Sequence, residues 1–364
     1  MKSDRTHIGL SPLGLEPGSE TGALQEKSGG PEPLPALLQE QEWKVFFTGS
    51  FWGHHGRERA GREVRVGASF PWGDALWRVP AVYVCGKGLV ADFCARVAPE
   101  RVLAFWNKWD LSPERGEPNL TDEQRMELEA ENPLSLNVDT QMAVNGRPLP
   151  NSHGCGLSWN PCLPGEMQER EARDILAHYS LDPAYGWILL RRSFRWVTSR
   201  PPALRSLQVT LRQEPLSLPG PRFRVSGPGD SVPFTHPLTG ASHTLYVDDC
   251  QPQELSNLRT DGLPTHFCLM RYHLLPDLPQ DGFSVRDCRE SDPPRNREGA
   301  GTALGGAVTV GIIGGADGPV AVFTEGGSNQ RAACSSLRFE PPPEVEWRME
   351  FRVKTQPDQT ADLL

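Results

Sequence analysis

The stretch "WILLRRSFRW", residues 187–196, opens the part of the chain that decides the fold. From Gly186 onward apolar and polar residues recur at a period of two. The segments concerned are "LRSLQVTL" (204–211), "RFRVS" (222–226), "SVPFTHP" (231–237), "HTLYVDD" (243–249), "THFCLMRYHL" (265–274) and "FSVRD" (283–287). Glycine and proline punctuate them, so each reads as a short strand between turns. Many short strands at close spacing predict an antiparallel sandwich or barrel. Further strands are expected at "AVTVGII" (307–313), "VAVF" (320–323), "CSSLRF" (334–339) and "VEWRMEFRV" (345–353), with residues 290–306 read as a loop.

Towards the N-terminus the pattern is mixed. "WKVFFTGSF" (43–51) and "EVRVGASF" (63–70) suggest a hairpin around a basic turn, and "WRVPAVYVC" (77–85) adds an apolar run. Three helices are readable. One begins at Pro99 and repeats Val102, Trp106 and Trp109 at helical spacing; a second has Thr121 and Gln124 in a capping-box pattern and stops before Pro133. The third places Ala172, Ile175, Leu176 and Tyr179 on one stripe and ends before Asp182 and Pro183. With 36 glycines and 35 prolines in 364 residues, against an average near 12% for the two together, short elements and turns should dominate. The expected fold is α+β, mainly antiparallel β, sandwich- or barrel-like, with about three helices and no transmembrane bundle. The expected organisation is a disordered arm over 1–41, a mixed α/β region over 42–184, a β-rich region over 185–356 and a flexible tail over 357–364.

Lys and Arg number 37 against 46 Asp and Glu, a net charge of −9, which disfavours a nucleic-acid surface. The first twenty residues hold no apolar run of signal-peptide length, and eight cysteines are scattered singly, so a reducing cytoplasm with free thiols is expected. No P-loop, dinucleotide fingerprint, nucleophile elbow, HExxH helix or biotin-attachment Met-Lys-Met pattern occurs.

"GIIGGADGP", residues 311–319, resembles the signature of the β subunit of sodium-ion-translocating decarboxylases of the oxaloacetate type. The resemblance implies a sodium site at Asp317 among Gly314, Gly315 and Gly318, and a role in sodium transport coupled to decarboxylation of a carboxylic acid. It covers nine residues, and Val320 stands where that family carries Thr. The charge-free stretch 299–316 reaches the minimum spanning length of about 18 residues, but seven of its residues are glycine. No stable membrane insertion is therefore expected. Read from its residues alone, the segment is a hairpin whose turn holds Asp317 and Gly318.

Other residues could carry chemistry. His153, Cys155 and Cys162, with His266 and Cys268, supply nitrogen and sulfur ligands of the kind zinc takes, yet their spacings are not those of zinc knuckles. His153 and Cys155 could form a thiol dyad, although residues two apart are taken to face opposite sides of a strand. His236 and His243 flank a Thr-Gly turn, where a hairpin would bring their imidazoles together for a ligand. The preferred expectation is a binding or interaction protein for an unidentified protein or small molecule. The alternatives are a decarboxylase-type sodium-transport component and a metal- or thiol-dependent enzyme.

Overall fold

The computed structural model describes residues 43–54, 56–111, 119–255, 262–293, 295, 312–315, 318–321 and 329–364. The expectations for 1–41, and most of those for 290–306, lie outside these residues. The fold is α+β: antiparallel sheets predominate, none closes into a barrel, and the described residues hold three helices.

β3 (Gly88–Val97) and β7 (Gly186–Arg195) pair from Gly88↔Arg195 to Val97↔Gly186. Together with β1 (Arg62–Trp72), β2 (Ala75–Val84) and β6 (Asn151–Trp159) they form a sheet in the order β1-β2-β3-β7-β6. Strands from both sides of the 184/185 boundary expected from the sequence thus share one sheet. Both of its faces are covered. Leu89, Ala91, Phe93, Ala95 and Val97 point to one side, Val90, Asp92 and Cys94 to the other, and all are buried. A strand buried on both faces loses the apolar-polar alternation that would mark it in the sequence, which is why "GLVADFCARV" reads so poorly as one.

The first face packs on a second sheet, ordered β18-β8-β4-β5, made of β4 (Val138–Val144), β5 (Arg147–Leu149), β8 (Leu207–Gln213) and β18 (Gln359–Asp362). Phe93, Leu190, Phe194, Met142, Val209 and Leu211 meet in this core. Each such side chain contributes about 1.5–3 kcal/mol on burial. Residues 359–362, expected in a tail, are therefore a strand of the first sandwich, and Leu363 is 5% exposed.

Over the second face lie α3 (Arg170–Tyr179) and the segment 43–51. Ala172, Ile175 and Leu176 of α3 pack on Cys94, Trp187 and Leu189, and the helix ends where Ser180 turns left-handed at φ 51°. Segment 43–51 does not form the expected hairpin with 63–70. It lies across the sheet as a strap, with Val45 and Phe47 against Ala81, Tyr83 and Val90, while β1 pairs with β2 instead. A Cβ on Gly88 would overlap the Phe47 ring and the Phe194 carbonyl, so close approach of the strap requires glycine there. α1 (Pro99–Trp109) buries Val102, and α2 (Asp122–Glu131) starts with the expected capping box, Gln124 N donating to Thr121 Oγ1 at 3.3 Å.

Between β8 and β18 the chain builds a second sandwich. One sheet is ordered β10-β11-β12-β16, from β10 (Ser231–Thr235), β11 (Ser242–Glu254), β12 (His266–Leu275) and β16 (Arg331–Cys334). The other is ordered β13-β17-β9, from β9 (Leu216–Phe223), β13 (Phe283–Asp287) and β17 (Trp347–Val353). Leu245, Met270, Tyr272, Trp347, Met349 and Phe351 fill the space between them. β14 (Ile312–Gly315) and β15 (Gly318–Ala321) make a separate two-stranded ribbon. No helix of the described residues is long and apolar enough to cross a membrane.

Two charged clusters bind the layers. Under the strap, Arg191 Nε and Nη2 donate to Asp92 Oδ1 and Oδ2, each at 2.7 Å, with Asp92 1% and Arg191 4% exposed. Tyr179 OH of α3 donates to Asp92 at 2.7 Å and lies 2.6 Å from Tyr83 OH, which accepts from Trp43 Nε1 at 2.8 Å. Phe51 and Trp43 of the strap cover the Arg191 guanidinium, at 4.6 and 5.4 Å from their ring centroids. The second cluster joins the sandwiches. Glu123 of α2 accepts from Arg222 Nη2 of β9 at 2.6 Å and from Arg348 Nη1 of β17 at 2.9 Å. Burial works to raise the Glu123 pKa, but the hydrogen bonds from Arg348, its own backbone N–H and Arg222 prevail and hold it at about 2.

Removing one partner of a buried pair leaves the other charge uncompensated. We expect Asp92→Asn to cost about 3–5 kcal/mol of stability in urea unfolding. Asp92→Leu combined with Arg191→Met should recover most of that loss; a double variant as unstable as the sum of the single ones would contradict the pairing.

Candidate functional site

Thr239 and Gly240 reverse the chain between β10 and β11. Gly240 sits at φ 69°, a left-handed conformation that glycine adopts without a side-chain penalty. Its N–H donates to the His236 carbonyl at 2.9 Å, and the His236 N–H donates to the Ala241 carbonyl at 2.8 Å. The register Phe234↔His243 stacks those two rings at 5.5 Å between centroids, with 16° between their planes. The His236 and His243 rings come to 6.4 Å of one another. Pro233, Phe234, Thr235, Ser242, His243 and Thr244 line an open depression with a volume of about 270 Å³.

Backbone contacts set where each imidazole carries its proton. His243 Nδ1 lies 2.7 Å from the Pro276 carbonyl; a carbonyl only accepts, so Nδ1 donates and Nε2 of the neutral ring is a bare acceptor. His236 Nδ1 accepts from the backbone N–H groups of Leu238 and Thr239 at 3.2 and 3.3 Å. The proton of that neutral ring therefore sits on Nε2, which is a donor. Burial, and then the repulsion of the neighbouring His243, lower the His236 pKa below its usual 6.5. A hydrogen-bond donor and an acceptor thus stand side by side on one hairpin. The same tautomers disfavour a shared metal ion, which needs a lone pair on both Nε2 atoms.

The other residues singled out in the sequence fall in several places. His153 and Cys155 lie on β6 across from Ser193 and Arg191 of β7. Being two apart they share a face, beneath the strap, and the expectation that they point to opposite sides is corrected by the pleat of the strand. His153 Nε2 is engaged by Ser193 Oγ at 3.2 Å, and the same hydroxyl donates to the Phe47 carbonyl at 2.8 Å. Burial pushes the Cys155 thiol up, against a hydrogen bond from the Phe51 backbone, so the thiol is not activated as a nucleophile. Cys162 packs against the inner core, on the other side of that sheet. His266 and Cys268 lie on β12 in the second sandwich. The five proposed ligands are not brought together, and among the described residues no three His, Cys, Asp or Glu side chains form a set that could hold a metal ion.

In the nonapeptide, Gly314 and Gly315 lie on β14 and Gly318 on β15, with Gly315 paired to Gly318. The strands are antiparallel and reach closer to the turn than the sequence suggests, while residues 307–311 and 322–323 lie outside the described residues. Asp317 lies outside the described residues.

Because the folded-state pKa of His236 is depressed, the neutral ring is the form the hairpin favours. Its contribution is present above pH 6.5 and lost as the pH falls below that value. Long-range proton–nitrogen NMR at neutral pH should find His236 protonated on Nε2 and His243 on Nδ1, with His236 titrating below 6.5. The same tautomer at both rings, or a His236 midpoint above 6.5, would contradict the assignment. No protein family, characterised protein or solved structure matches the chain.

Proposed function

We propose that this is a binding protein whose ligand contacts the β10–β11 hairpin through His236 and His243. The observation that carries the proposal is the opposite hydrogen-bonding character of the two rings, fixed by Pro276 on one side and by the Leu238 and Thr239 amides on the other. A donor beside an acceptor is matched by a group offering an acceptor beside a donor. An uncharged carboxamide does so; a carboxylate offers acceptors alone and an ammonium donors alone. The Phe234 ring beside the depression supplies apolar contact for the carbon part of such a ligand.

Pairing with a partner's strand is a poorer match. β10 is the edge of its sheet, but Pro233 removes one of its few donors. Catalysis also lacks support, since neither imidazole contacts an acidic partner or a nucleophile among the described residues.

Titration with butyramide, butyrate and butylamine, followed through the ring nitrogens of both histidines, tests the proposal. Butyramide should shift both, and His236→Ala should weaken its binding about tenfold, the effect of losing one hydrogen bond of about 1.4 kcal/mol. Equal response to all three compounds, or undiminished butyramide binding by His236→Ala, would overturn it.

A further inference from the structure

None of the eight cysteines is cross-linked, yet two of them are in contact. Cys250 lies on β11 and Cys268 on β12. The register pairs Cys250 with Met270 and Pro252 with Cys268, so the two cysteines are diagonal neighbours on one face of adjacent strands. Their sulfur atoms are 3.3 Å apart. A bulge between Val247 and Asp249 precedes Cys250 and increases the local twist of β11.

We infer that Cys250 and Cys268 form a dithiol that a low-molecular-weight disulfide converts to a cross-strand cystine. A disulfide bond is about 2.05 Å long, so closure asks two sulfurs that are already on the same face and 3.3 Å apart to approach by a further ~1.2 Å. The two sulfurs have different roles. Cys250 is half-buried and Cys268 is 8% exposed, which leaves Cys250 as the accessible one. The hydrogen bond from Cys268 lowers the Cys250 pKa, against its partial burial and the nearby carboxylates of Asp249 and Asp230. The same bond, followed by burial, raises the Cys268 pKa. Cys250 is the attacking group and Cys268 the resolving one.

In the first step the Cys250 thiolate attacks one sulfur of the oxidant, forming a mixed disulfide and releasing one thiolate. Cys268 then loses its proton to water and its sulfur attacks Cys250 Sγ, expelling the second thiolate. Two protein thiols are oxidised by two electrons, and the oxidant is reduced to two thiols. Cys250 lies on the same strand as His243, further along β11 from the turn, and closure of the cystine requires no ligand at the His236–His243 turn.

The test is exposure of the native full-length chain to glutathione disulfide, followed by acid quenching, intact mass measurement and peptide mapping. Trypsin separates the two cysteines at Arg259. The wild-type chain should lose the mass of two hydrogens and yield a Cys250–Cys268 linked peptide pair, and Cys334→Ser should behave alike. Cys268→Ser should stop at one glutathionyl group on Cys250. A wild-type chain that stays reduced, keeps the mixed disulfide or links another pair would overturn the inference, as would hydrogen loss by Cys268→Ser. Wild-type mapping alone decides the matter if a serine variant fails to fold.

Discussion

Pairing of β18 with β8 is the constraint on which the rest of the molecule depends. The first sandwich is incomplete until the chain has built the second, because its edge strand is supplied by residues 359–362. The inserted sandwich is therefore held at two adjacent crossings. Gln213, the last residue of β8, clasps them: its Oε1 accepts from the backbone N–H of Thr355 at 2.7 Å and of Gln356 at 2.9 Å. Glu123 supplies a third tie, reaching from α2 to two arginines of the sheet β13-β17-β9. Arg286, Arg348 and Arg222 stand in one cross-strand row of that sheet. Like charges at that spacing repel, and the carboxylates of Glu123 and Glu350, the latter 2.9 Å from Arg286 and 2.8 Å from Arg348, offset the repulsion.

Within the first sandwich, burial on both faces of the five-stranded sheet leaves little room for polar groups, and Asp92 and Arg191 are tolerated because they are direct cross-strand partners. Every oxygen of Asp92 is engaged by Arg191 or Tyr179. That closed cluster organises the strap and α3. On the β10–β11 hairpin of the inserted sandwich, by contrast, His243 is 7% exposed and bonded through Nδ1 to the Pro276 carbonyl, and His236 is bonded through Nδ1 to the Leu238 and Thr239 amides.

Much of the fold was legible where one physical signal dominated. The α2 capping box and the Pro99 start of α1 follow from local chemistry, and the alternation in "THFCLMRYHL" marks a strand with one buried face. β3 was not legible, since burial on both faces erased its period. β9 was hidden by Pro219 and Pro221, which an edge strand tolerates. The strap alternates like a strand at Val45 and Phe47, but its place across the sheet is set by Gly88 and Arg191, far away in sequence. At the site, the Thr-Gly turn made the proximity of His236 and His243 readable. The tautomer of His243 was not, because it depends on Pro276, which arrives from the end of β12. The cysteine pair escaped notice for a similar reason, as only the β11–β12 register brings the two sulfurs together.

Amide hydrogen exchange across β8 and β18 in the intact chain tests this architecture most directly. Ala361 of β18 and the Leu363 amide, which donates to the Leu207 carbonyl at 2.7 Å, should be protected to the same degree as Val209 and Leu211 of β8. Exchange of residues 359–363 at the rate of an unfolded peptide, with β8 still protected, would show that the first sandwich closes without its C-terminal strand and would contradict the account.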